Sequence, residues 1–311
     1  MAAPATRSGR KPSGLIGLAH FELDHKAMAT STVQTKAATS QAGIILRQWR
    51  GSRGKTQLDL SFDSGISQKH ISFVESGRSM PSRQTLLDLA QALQIPLREQ
   101  NTLLLAAGYA PVYSQDPLDA PAMTSITRAL QRMLRQHEPF PAIVMDRHWN
   151  VLMTNDASPR FFNCFIDMNA RPQPRNLLHL MFDPRGMRPF IANWRIAAKS
   201  LLARVHREAL GGVIDPGTRS LLDELAKYPD VAPEWRNPTP DAGVPVIPLS
   251  FRKGAVTLNY FSMITTVGTP QTVATEELRL ESMFPADEQT EEAHSRFVRD
   301  NADTGSVPKP N

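Results

Sequence analysis

The chain has 311 residues, 41% hydrophobic and 21% charged, proportions that suit two soluble domains rather than a disordered or fibrous chain. No run approaches the ~18 apolar residues of a membrane span, the N-terminus lacks a signal-peptide core, and the single Cys164 excludes an internal disulfide or a cysteine-built zinc site. The net charge of +5 is uneven: residues 1–40 hold five Lys/Arg against two Asp/Glu, residues 41–111 eight against five, and the remainder 22 against 23. A basic first third attached to a neutral remainder suits a nucleic-acid surface joined to a second domain.

Residues 1–40, rich in Ala, Thr and Ser, are expected to form a disordered tail, with Arg7, Arg10 and Lys11 solvated or touching phosphate. Met28 offers an alternative start. Residues 41–111 read as five short helices. Ile44, Ile45, Leu46 and Trp49 mark the first, which stops near Gly51–Gly54. Thr56 is the N-cap candidate of the second, with Asp59 three positions on as a weaker form of the capping-box carboxylate. Gly65 makes the turn, Ser67 caps the third helix, and Pro81-Ser82 and Pro96 open the fourth and fifth. Residues 112–139 read as a proline-stiffened linker and a connecting helix, Met123 to His137.

Residues 140–286 change character. Pro141–Asp146 and Trp149–Thr154 predict two strands. Helical patterns follow around Pro159–Phe165, Asn176–Met181, Phe190–Leu210 and Thr218–Lys227. Val244–Arg252, Ala255–Thr266 and Leu278–Phe284 alternate as strands, which predicts an α+β domain whose terminal strands pair. Residues 287–311 are expected to be a second disordered tail.

The segment Thr56 to Gly77 is the most informative. With Leu60, Ile66, Ile71 and Val74 turned inward, Gln68, Lys69 and Ser72 point outward. Gln pairs with adenine edges, Lys with guanine, and Ser with either base or phosphate. Gln57, opening the preceding helix, is placed for a phosphate. Arg78 and Arg83 follow the third helix, where backbone phosphates pass.

On Arg50, Thr56-Gln57, Gly65, Ser67-Gln68, Ile71, Ser72, Glu75, Gly77, Pro81 and Leu89-Ala90, residues 42–107 resemble the XRE family of phage-repressor-like regulators. The resemblance implies that Gln57, Gln68, Lys69 and Ser72 face double-stranded DNA, and Ser67 beside them is a further candidate for DNA contact. It also implies that Arg50 and Glu75 form a structural ion pair. The run from Leu103 to Pro111, the stretch Pro141–Leu152, Asn155, Asp183-Pro184, Asn193-Trp194 and Glu234-Trp235 resemble the MmyB-like ligand-binding domain.

These resemblances imply an all-α five-helix helix-turn-helix domain followed by an α+β PAS-like domain, with a small antiparallel sheet and flanking helices. They further imply an apolar pocket for a small apolar or fatty-acid-like ligand and a transcription regulator, expected to act as a homodimer; the single cysteine fits a reducing cytoplasm, and no membrane contact is expected. Phe161, Phe165, Trp194, Trp235 and Phe261 are the aromatic candidates for that pocket, and Asn155, Asn193 and Arg195 the polar ones. No catalytic motif, metal cluster or cofactor loop is legible, so neither an enzyme nor a cofactor is expected. The alternatives are an enzyme, or a protein–protein adaptor, that carries a regulatory helix-turn-helix domain.

Overall fold

The computed structural model describes residues 41–209, 215–236, 246 and 249–301. The expected tail over 1–40 and the strand start at Val244 lie outside them. The chain divides into two compact units. One takes in residues up to Leu93 and Gln100–Pro111; the other takes in Gln94–Glu99 and everything from Val112.

The first unit is helical: α1 (41–52), α2 (Gln57–Ser64), α3 (Gln68–Glu75), α4 (Arg83–Ala92) and the greater part of α5 (Leu97–Ala106). The starts of α2, α3 and α4 carry side-chain caps. The Thr56 hydroxyl accepts the Asp59 N–H while the Asp59 carboxylate accepts the Thr56 N–H, so two otherwise unpaired donors of α2 are satisfied reciprocally. Ser67 and Ser82 cap α3 and α4. Gly65 ends α2 at φ 71°, a left-handed turn that only glycine adopts cheaply. Leu46, Trp49, Leu60, Ile71, Val74, Leu86, Leu89, Leu93, Leu103 and Leu104 are buried and form the core. Gly43 lies so close to α3 that a Cβ would fall 2.4 Å from the Val74 carbonyl oxygen.

The second unit is a five-stranded antiparallel PAS-like sheet in the order β2-β1-β5-β4-β3. Its strands are β1 (Ala142–Met145), β2 (Val151–Thr154), β3 (Leu249–Lys253), β4 (Val256–Thr265) and β5 (Arg279–Pro285). The two ends of the domain meet where Ile143 pairs with Glu281 and Val144 with Leu280. All four β1 residues are buried because both faces are covered. Ala142 and Val144 pack with Leu130 and Leu134 of α6 (Thr124–Gln136). Ile143 and Met145 face the main core, to which α7 (Ala157–Asn163), α8 (Leu177–Phe182), α9 (Trp194–Glu208) and α10 (Pro216–Leu225) contribute.

A short α11 (Val273–Glu277) leads into β5. Beyond it, the expected loose tail is corrected: Glu288–Asp300 form α12, capped by Asp287. Phe297 and His294 of α12 are buried and Phe297 joins the main core, which pins a segment whose composition looks polar overall.

Candidate nucleic-acid interface and ligand cavity

The recognition candidates lie where α2 and α3 cross. Leu60, Ile71 and Val74 are buried beneath the crossing, and Ile66 is half-buried. The opposite edge of α3 is open: Gln68 and Lys69 are exposed and Ser72 half-exposed. The Ser67 hydroxyl is committed to the helix, accepting the His70 N–H at 3.3 Å. Lys69 Nζ lies 5.7 Å from the centre of the Phe73 ring, which steadies a long side chain through a cation–π contact. Arg78 and Arg83 are exposed.

Behind that edge, Arg50 grips Glu75 with both arms, Nε to Oε1 at 2.7 Å and Nη2 to Oε2 at 2.9 Å. Its Nη1 donates to the Lys55 carbonyl at 2.8 Å. Gln57 joins this pair, its Nε2 donating to Glu75 Oε2 at 2.9 Å. The glutamate side chain is 4% exposed and the arginine 16%. Hydrogen bonding to Glu75 holds the Arg50 pKa above its ordinary value, against the opposing effect of burial. One carboxylate at the end of α3 therefore ties down α1 and the start of α2, and fixes the angle at which α3 is presented.

In the second unit a cavity of about 490 Å³ opens between α8, α9 and the inner face of the sheet. Ile143, Trp149, Phe162, Leu177, Leu178, Met181 and Met283 give it apolar walls. Lys199, Arg204, Arg207, Glu208 and Glu281 give it a charged side, to which Ser262 adds a hydroxyl. Its size and mixed lining are those of a small-molecule site. Arg204 Nη1 and Nη2 donate to Glu281 at 2.9 and 3.1 Å, its Nε to Glu208 at 2.5 Å, and its guanidinium lies 4.3 Å from the Trp149 ring. Burial opposes the charge on Arg204, but Glu281 and Glu208 outweigh it and raise its pKa.

Of the five aromatic candidates only Phe261 lines this cavity. Phe161 is fully buried among Phe162, Phe165, Phe251 and Tyr260, with ring centres 5.3–5.5 Å apart. Phe165 packs on Phe190 and Phe297. Trp194 packs against Phe182 and Arg188, with its Nε1 donating to the Asp230 carbonyl at 3.0 Å. Trp235 is buried in the same core. These four fill space that the cavity does not occupy.

The polar candidates also have other work. Asn155 bonds Ala142 N, Ser158 and the Phe140 carbonyl, and Asn193 accepts the Ser250 N–H. Arg195 is exposed and outside the lining. Cys164 is buried, and burial pushes its thiol pKa up, which suits an inert packing residue. No group of three or more His, Cys, Asp or Glu able to hold a metal is found among the described residues. No helix among them is long and apolar enough to cross a membrane.

Residues 126–296 match the family described as the MmyB-like transcription regulator ligand binding domain. Residues 46–100 match the helix-turn-helix family. The chain is 36% identical over 66 residues to the transcriptional regulator ClgR of two Mycobacterium tuberculosis strains, a match covering 21% of this chain and 56% of each relative. The chain thus spans little more than half the length of the curated relatives it matches. Among solved structures it is similar to the restriction-modification controller protein C.AhdI from Aeromonas hydrophila, at 35% identity, 20% of this chain, 94% of that chain and a TM-score of 0.19. It is also similar to an RNA-binding Light-Oxygen-Voltage receptor, at 12% identity, 91% of this chain, 67% of that chain and a TM-score of 0.25.

Proposed function

The chain belongs to the MmyB-like transcription regulators, with a helix-turn-helix unit ahead of the ligand-binding domain, and from that premise we propose that it reads specific double-stranded DNA under the control of a small apolar ligand. The observation that carries the DNA half is the open polar edge of α3, Gln68 and Lys69, mounted on a core that fixes its angle. Gln68 and Lys69 contact base edges, and Ser72 meets base or phosphate. Gln57, anchored by Glu75, presents the N-terminus of α2 to a phosphate; Ser67 flanks α3, and Arg78 and Arg83 take further phosphates. Two copies form a homodimer whose recognition helices enter major grooves about one DNA turn apart, ~34 Å.

The apolar walls of the cavity support an apolar or fatty-acid-like ligand, and its charged side fits a polar head. Ligand occupancy alters DNA affinity because the ligand prefers one of two arrangements of the regulator. The protein works in the cytoplasm by binding rather than by catalysis. A gel-shift with the DNA upstream of its own gene tests the reading. We expect a discrete complex that survives excess random DNA and weakens steeply with salt. A complex lost equally to random competitor would refute sequence-specific binding.

A further inference from the structure

Buried charge in the second unit forms one connected series from the cavity wall to the first turn of α5. At the cavity, Arg204 is held by Glu208 and Glu281. Arg279 comes next: its Nε stands 3.8 Å from Glu208 Oε2, and its Nη1 donates to the Glu277 carbonyl at 2.8 Å. The Glu277 carboxylate in turn accepts Arg98 at 2.7 and 2.9 Å and Arg147 at 3.0 Å. Arg147 also reaches Glu99 at 3.2 Å and Asp215 at 2.9 Å. Beside them, Glu276 Oε2 accepts the backbone N–H of Leu97 at 2.8 Å. Residues 94–99, which include this first turn of α5, belong to the second unit, whereas 100–111 belong to the first.

Two features show strain in the series. Glu208 Oε2 at one end and Glu99 Oε2 at the other are buried with no hydrogen-bond donor among the described residues. A buried carboxylate oxygen without a donor is unfavourable, so each end gains by capturing one. Trp149, in the cavity wall under Arg204, sits at φ 68°, a left-handed backbone that a bulky residue avoids unless its surroundings impose it. It follows Arg147 by two positions on the same turn, a second link between wall and series.

We propose that this series of ion pairs, joined through the hydrogen bond from Arg279 to the Glu277 carbonyl, carries the state of the cavity to the first turn of α5. The proposal rests on the cavity being a ligand site. An occupant with an anionic head competes with Glu208 for Arg204. The released Glu208 turns to Arg279, only 3.8 Å away, and draws it from the Glu277 carbonyl. The clamp of Glu277 on Arg98, and the neighbouring bond from Glu276 to Leu97, loosen in response.

The Leu97 amide reports this directly, because the first turn of a helix offers it no intrahelical acceptor. Its exchange with solvent is to be measured by NMR in the full chain for Glu208→Gln, Arg279→Lys and a control, Arg171→Gln, whose pair with Asp183 lies off the series. We expect exchange about 2- to 30-fold faster in the first two and unchanged in the control. Equal change in all three, or none in any, would overturn the relay. Dodecanoate serves as the anionic probe. Binding that speeds Leu97 exchange in the wild type but not in Arg279→Lys supports the proposal, and binding without that change overturns it. Absence of dodecanoate binding by calorimetry refutes the ligand reading instead, while the variants still decide the relay.

Discussion

The edge of α3 and the cavity of the second unit place their polar groups in opposite ways. On α3 the informative side chains stand clear of a small apolar core, and a single ion pair, Arg50–Glu75, sets their direction from behind. Around the cavity the charges turn inward and hold one another, as Arg204 does with Glu208 and Glu281. The first arrangement is a buried ion pair that supports an exposed polar edge. The second is an interior in which paired charges line a cavity. Stability and specificity should therefore separate in the first unit and mix in the second.

The sharpest break of that comparison lies in the second unit. Phe161→Ala should cost about 3–5 kcal/mol by opening a void among four aromatic rings. Calorimetry of the full chain should show one transition falling while the other keeps its midpoint. In the first unit Glu75→Ala strands Arg50 and should cost about 3 kcal/mol, the lower end for a broken buried pair because Arg50 keeps some contact with water. Gly43→Ala should cost about 1–3 kcal/mol, since its Cβ would press on the Val74 carbonyl and push α1 from α3. Urea unfolding followed by a probe in the first unit measures both.

The smallest effect is one of pH. His294 lies between the Tyr260 hydroxyl at 2.7 Å and the Pro139 carbonyl at 2.9 Å, and burial lowers its pKa below the ordinary 6.5. The folded state therefore favours the neutral ring. The resulting stability is fully present above the unfolded pKa and is lost as pH falls through the lowered folded value. His294→Gln keeps a donor and an acceptor without titrating, so its unfolding free energy should fall less between pH 7 and pH 5 than that of the wild type.

How legible each region was in the sequence follows from its geometry. The helical period, the caps at Thr56, Ser67 and Ser82, and the turn at Gly65 are local, so a short window of residues specifies α2 to α4 and their outward edge. The strands too were legible to within a few residues, from Ala142–Met145 to Arg279–Pro285, apart from the start expected at Val244, which lies outside the described residues. The cavity was not, because the sheet brings together residues as distant as Ile143 and Met283. Aromatic size drew attention to Phe161 and Trp194, yet large side chains fill cores as readily as they line voids. Arg204, Glu208 and Glu281 carried no signal of their own; an acid opposite an arginine becomes informative only once β5 and α9 are seen side by side. The α12 helix was missed because its polar composition hides the few residues, His294 and Phe297, that bury it.

The most direct measurement is selection of binding sites from randomised DNA by the wild type and by Gln68→Ala, followed by affinities on the selected site and on random sequence. We predict that the wild type enriches a defined sequence, and that Gln68→Ala relaxes it at one base position and loses about 1–3 kcal/mol there with little loss on random DNA. Equal losses on selected and random DNA would contradict the assignment of α3 as the reading helix.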